Sequence, residues 1–108
     1  MIEKRQFPRF DRAFEVIYTA KNKGSEIQGY SVSSNVSKGG ICLPLAKHIK
    51  KGNSIDLSIN LSEQEKVLAT GKVVWTKDIK RLAPLQIFAG LEFKKIRPNS
   101  ARLLVATP

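Results

Sequence analysis

From Ser54 to Leu61 the chain alternates without a break, with Ile55, Leu57, Ile59 and Leu61 set against Ser54, Asp56, Ser58 and Asn60. A period of two puts successive side chains on opposite faces, so this stretch buries its apolar set as a β-strand with one wet face. The same period returns along the chain. Phe14, Val16 and Tyr18 share a face. Residues 27–36 place Tyr30, Val32 and Ser34 on one side and Ser31 and Ser33 on the other. Ile41-Cys42-Leu43 reads as a short strand that Pro44 should end. Residues 67–77 centre on Val73-Val74-Trp75, and Ile87, Ala89, Leu91 and Phe93 share a face of the last strand. Turn-like residues separate these runs at 21–25, at Gly39-Gly40 and at 51–53. Six strands joined by short turns predict an antiparallel barrel or sandwich. Residues 77–84 lack a strand period, and in residues 98–106 a Pro and Asn/Ser start signal precedes a short apolar run, which predicts a short helix. Such a helix is too short to stand alone, so it should cap an open end of the sheet.

The 108 residues amount to one domain with a single modest core, and 42% of them are hydrophobic. No apolar stretch approaches the roughly 20 residues that span a bilayer. The first twelve residues are charged and polar, and no apolar segment behind them could act as a secretory signal. A cytoplasmic location follows by default. A single cysteine, Cys42, allows neither an internal disulfide nor a multi-cysteine metal site. The net charge of +10, from 19 Lys and Arg against 9 Asp and Glu, calls for a polyanionic partner without choosing among nucleic acid, acidic protein, anionic membrane face and phosphate-bearing small molecule.

Two motifs narrow the choice. Arg5 and Arg9 form an R-x-x-x-R pair in a segment where Pro8 opposes a regular helix, so residues 1–12 read as a flexible basic arm ahead of a barrel domain at 13–108. A guanidinium is a planar fork of donors that suits phosphate oxygens or the O6/N7 edge of guanine, and it stacks on bases. The second motif is Asn35-Val36-Ser37-Lys38-Gly39-Gly40. On a strand, Asn35 and Ser37 face the same way and offer a carbonyl, an amide and a hydroxyl, while Gly39 and Gly40 give a tight turn that lets backbone approach a ligand. Taken singly, the first motif is a solvated tail and the second an ordinary turn.

In order and spacing, Arg5-x-x-x-Arg9 followed by a strand and then Asn35-x-Ser37-x-x-Gly40 resembles the PilZ family of bacterial cyclic di-GMP receptors. Gly71-Lys-Val-Val-Trp75 and Gly90-Leu-Glu-Phe93 stand where such domains carry similar strands, so the resemblance runs from about Arg5 to Phe93. It implies an all-β fold, a six-stranded antiparallel split β-barrel with a short C-terminal helix. It also implies a cyclic di-GMP ligand rather than a cofactor. The ligand would be held by Arg5, Arg9, Asn35 and Ser37, with Gly40 providing room and Lys4, Lys38 and Gly39 nearby. The arm would order over the ligand and present a surface to a downstream protein partner.

The alternative from a different class is a basic β-barrel that binds single-stranded nucleic acid. An aromatic content of 7% leaves few rings for a stacking platform once the core is filled, so this reading stands second. Catalysis is not expected, because the nine acids are scattered and none forms a pair. His48, the only histidine, has no partner at metal-ligand spacing and reads as a solvated loop residue. Cys42 reads as a small core residue, and Trp75 and Phe88 as barrel packing.

Overall fold

The structure is a computed structural model that describes residues 10–22, 24–79 and 86–106. The strands are β1 (Glu15–Asn22), β2 (Ser25–Val32), β3 (Asn35–Val36), β4 (Gly40–Ala46), β5 (Ser54–Asn60), β6 (Lys66–Asp78) and β7 (Gln86–Lys95), followed by helix α1 (Pro98–Ala106). Every pairing is antiparallel, and the strands form one sheet in the order β2-β1-β5-β6-β7-β4-β3. The strand beyond the expected six is the two-residue β3.

The two end strands of that sheet, β2 and β3, are parts of one chain segment separated only by Ser33 and Ser34. An ordered list whose two ends join covalently must curl on itself, and the result is a split barrel. Its interior is filled by the alternating residues that period two singles out. These include Val16 and Tyr18 from β1, Ile55, Leu57 and Ile59 from β5, Val73 from β6, Ala89 and Leu91 from β7, and Leu43 and Leu45 from β4. Each fully buried aliphatic side chain contributes on the order of 1.5–3 kcal/mol.

One expectation needs correcting. Pro44 does not end its strand; β4 runs through it to Ala46 and pairs Pro44 with Phe88. By then β3 has ended, so β4 is hydrogen-bonded on one side only, and the N–H that proline lacks is not needed on the open side. At the end of β2 the inward positions are serines: Tyr30 and Val32 are exposed, whereas Ser31 and the following Ser33 are buried.

Helix α1 forms where its start signals place it, with Pro98 at its first position and the Ala101 N–H donating to the Arg97 carbonyl. It buries Ala101 and Leu104, and Leu104 belongs to the barrel core. Tyr18 lies across Gly29 on β2, where an added Cβ would meet its ring, and its phenolic oxygen accepts the Ala46 N–H at 3.1 Å. One side chain thus ties β1 to the end of β4. Among the described residues, no helix is long and apolar enough to cross a membrane.

Candidate ligand site at the barrel seam

The segment Ser33–Val36 is gripped from both sides. On one side Asn35 and Val36 pair with Cys42 and Ile41 of β4, and the Ser34 N–H donates to the Cys42 carbonyl. On the other side Phe10 forms an antiparallel bridge with Val36, its N–H donating to the Val36 carbonyl at 2.7 Å and its carbonyl accepting from Val36 at 2.8 Å. The Ser33 N–H donates to the Phe14 carbonyl at 2.9 Å. Between these two contacts the leading segment has three residues (11–13) where its partner has two (34–35), which makes a β-bulge.

Ser33 holds that bulge in place. Its buried hydroxyl accepts the Phe14 N–H at 2.8 Å and donates to the Arg12 carbonyl. The period-two pattern puts a serine on the core side of a strand here, and it is tolerated because both its donor and an acceptor site are used. In the same bulge the Arg12 guanidinium lies 5.6 Å from the Phe10 ring centre, within cation–π range, and donates from Nη1 to the Asp11 carbonyl. Its Nε is buried with no hydrogen-bond partner among the described residues.

Beyond Val36 the chain turns at Ser37–Gly40. The Ser37 N–H donates to the Gly40 carbonyl, and the Ser37 Oγ accepts from the N–H groups of both Gly39 and Gly40 at 3.1 Å each. The hydroxyl's acceptor capacity is spent inside the turn, so what it can offer outward is its O–H donor. Gly39 and Gly40 have their amides committed to the same turn. Neither has a positive φ; among the described glycines only Gly24 and Gly52 do. Gly40 is glycine for a different reason: a Cβ there would lie 2.1 Å from the Leu91 carbonyl oxygen, because β4 and β7 close tightly at this point. The Gly39 carbonyl, in turn, accepts the Phe93 N–H at 2.8 Å.

Asn35 is half-buried and its Nδ2 donates to the Ser34 Oγ at 3.3 Å. Val36, next to it, is fully buried, so Asn35 points away from the core. Directly paired positions share a face, and the row containing Asn35 runs through Cys42 and Gly90 to Trp75. Sequence reasoning did not connect Trp75 with this motif. A bulge between Val73 and Trp75 inserts Val74 and turns Trp75 outward, whereas unbroken alternation would put it beside Val73 in the core. The indole lies on Gly90, where a Cβ would meet it, and its ring centre is 6.1 Å from that of Phe88. The legible signal was Gly90 itself, a glycine inside a strand beside an aromatic partner. Cys42, buried in this outward row, lies outside the central core cluster.

The structure therefore places Asn35 on β3 and Ser37, Lys38, Gly39 and Gly40 in the turn that follows it, with Lys38 exposed. Lys4, Arg5 and Arg9 lie outside the described residues. No cluster of His, Cys, Asp or Glu that could hold a metal occurs among the described residues. Near the turn the notable carboxylate is Glu92, paired with Gly40 across the sheet. It is held below the usual carboxylate range, first by the hydrogen bond from Lys94 at 2.6 Å and then by the charge of that lysine.

Comparison with known proteins follows this geometry. No curated protein matches the sequence. Among solved structures, the Bacillus subtilis inhibitor of motility (MotI/DgrA) is similar at a TM-score of 0.71 with 25% identity, covering 95% of this chain and 48% of that one. The PilZ domain of Escherichia coli YcgR with c-di-GMP is similar at 0.71 with 13% identity, covering 95% and 87%. The K. pneumonia MrkH–c-di-GMP complex is similar at 0.69 with 17% identity, covering 97% and 51%. The chain thus spans about half the length of MotI/DgrA and of MrkH. The sequence profile of the PilZ domain matches residues 3–107, nearly the whole chain. The chain belongs to the PilZ domain family.

Proposed function

We propose that this domain is a cytoplasmic cyclic di-GMP receptor without catalytic activity, whose N-terminal arm closes over the ligand and so creates a surface for a partner protein. The observation that carries this reading is the Phe10–Val36 bridge. It fixes the point at which residues 1–9 join the barrel within one strand spacing of the Asn35–Gly40 turn. Arg9 is covalently next to Phe10, so its α-carbon is about 3.8 Å from that of Phe10 whatever its conformation. YcgR and MrkH, which share the fold, have been solved with c-di-GMP.

The chemistry of each group suits this ligand. Arg5 and Arg9 supply the donor forks for phosphate oxygens and guanine O6/N7 edges. The Ser37 O–H, its only outward capacity, favours an anionic acceptor such as a phosphate oxygen. The Asn35 side chain offers an amide that pairs with a guanine edge. Lys38 and Lys4 add charge, while Gly39 and Gly40 shape the turn. Binding neutralises the crowded cations of Lys4, Arg5, Arg9 and Arg12, which favours the ordered arm.

Isothermal titration with cyclic di-GMP tests the proposal. Heat of binding should be measurable in the micromolar range, and Arg5→Ala or Arg9→Ala should each weaken it by about 1.5–3 kcal/mol, or roughly ten- to a hundredfold. Absence of heat at high micromolar ligand sinks the reading.

A further inference from the structure

The outer face of β2, β1, β5 and β6 carries an apolar row unlike any other part of the surface described. Tyr30, Ile17, Ser58 and Leu68 are directly paired from strand to strand, and Val32 lies two residues from Tyr30 on the same face. Tyr30 is 58% exposed, Ile17 and Val32 41% each and Leu68 72%. Four of the five exposed large hydrophobics among the described residues therefore stand on this one face, the fifth being Leu103 of α1. Isolated exposed apolar residues need no explanation, but a contiguous set rimmed by polar groups marks an interaction surface.

The row does not end flat. Leu68 forms one wall of a cleft of about 680 Å³ whose other walls include Thr70, Lys95, Ile96 and Arg97. Leu57, Ala69, Ile96 and Pro98 make much of its lining apolar, and among its charged residues Lys95 and Arg97 outnumber Asp56. At the other end of the face, Val32 precedes Ser33, the residue that clamps the root of the arm. Tyr30 meets Glu15 on this face, and its phenol is held above its ordinary value, first by desolvation and then by the hydrogen bond with Glu15.

We infer that this face docks an acidic protein partner, which lays aliphatic or aromatic side chains along Tyr30, Ile17 and Leu68 and sets its carboxylates against Lys95 and Arg97. Charge selects this occupant. A second copy of the chain would bring another net +10 against the first. An acidic surface is steered in by the same field. Tyr30 is the anchor, since tyrosine is among the residues on which interfaces concentrate their energy, and Leu68 extends the apolar contact to the cleft. That the face is the output surface of a ligand switch rests on the receptor reading above; that it docks an acidic partner does not.

The test uses the full chain and two libraries of short displayed peptides with the same apolar positions, one rich in Glu and Asp and its twin rich in Lys and Arg. The acidic library should yield binders whose amide shifts in ¹⁵N spectra map to Tyr30, Ile17, Leu68 and residues 95–97. Their affinity should fall about tenfold or more in a Tyr30→Ala/Leu68→Asp variant and weaken as salt rises. Equal recovery from the basic twin overturns the proposal, as does mapping of the acidic binders to the Asn35–Gly40 turn. Self-association in sedimentation that Leu68→Asp abolishes also overturns it, by assigning the face to a second copy. Both substitutions are at exposed positions, so the variant should keep its fold and its cyclic di-GMP affinity. If the wild type binds acidic peptides at this face but gives no heat with cyclic di-GMP, the receptor reading fails and the docking face stands. The reverse result removes the docking face alone.

Discussion

Strand β5 and the seam at Ser33–Gly40 are built on opposite principles. In β5, Ile55, Leu57 and Ile59 go into the core and their neighbours go to water, with regular pairing to β1 and β6 along the whole length. The seam has two strand residues, a bulge, a buried serine that bonds to two backbone groups, and a turn closed by another serine. The first region is held by area and tolerates small shifts; the second is held by a few directional bonds, each of which has no substitute. Apolar burial makes a wall. Directional bonds fix a position, and a ligand site needs the latter.

Substitutions can break that contrast in graded steps. The largest effect should come from Ile59→Ala in the regular wall. Ile59 is fully buried, so the lost contacts and the cavity should cost about 3–4 kcal/mol by urea denaturation. The cyclic di-GMP affinity of the folded fraction should stay unchanged. Gly40→Ala comes next. Its new methyl meets the Leu91 carbonyl, a backbone atom that cannot swing aside, and the strain should cost about 2–3 kcal/mol. Because the displaced strand carries the Ser37 turn, ligand affinity should fall with stability here, which separates the seam from the wall.

Ser33→Ala is a finer cut. It leaves the buried Phe14 N–H without its side-chain acceptor, at about 1–3 kcal/mol. It should also loosen the root of the arm, so ligand affinity should drop although Ser33 touches no ligand. Unchanged affinity would show that the Phe10–Val36 bridge alone sets the arm's position. The smallest effect belongs to Glu92. Its carboxyl is lowered in the folded state by Lys94, so its contribution is present above the unfolded carboxylate value and is lost as pH falls through the lowered folded one. Denaturation of Glu92→Gln against wild type should therefore show a slight deficit at neutral pH that disappears in acid. The pair is exposed, which keeps the deficit small.

The same contrast decides what could be read in the sequence. The wall was legible because a period of two over Ser54–Leu61 admits one structure, and α1 was legible from Pro98 and the apolar run behind it. The seam was not, because its elements violate local rules for reasons that lie elsewhere in the chain. Pro44 looks like a strand end until β3 is seen to stop short of it. Trp75 looks inward until the Val74 bulge turns it outward. The role of Ser33 is hidden because nothing local announces the Phe14 and Arg12 backbone groups it serves. Asn35 and Ser37 were found by their motif, but the reason for Gly40 was the Leu91 carbonyl rather than a turn conformation. Arg5 and Arg9 lie outside the described residues, and their place in the site rests on the motif and on the bridge at Phe10.

The joining of both end strands of the sheet in one segment has a consequence for the order of events in folding. β1–β2 and β5–β6 are hairpins and can zip locally, whereas β4 meets β7 only after some forty intervening residues have been gathered in, a slow, non-local step. Residues 33–36 take their partners from residues 10–14 and 41–42, all close in sequence, so they can pair before that step. The seam is held by a two-residue strand, one bridge and a few single bonds, so the amides of Phe10 and Val36 should exchange with solvent through local openings well below the global unfolding energy. A molecule that binds across the seam would act as its latch, and protection at those two amides would measure how firmly it is shut.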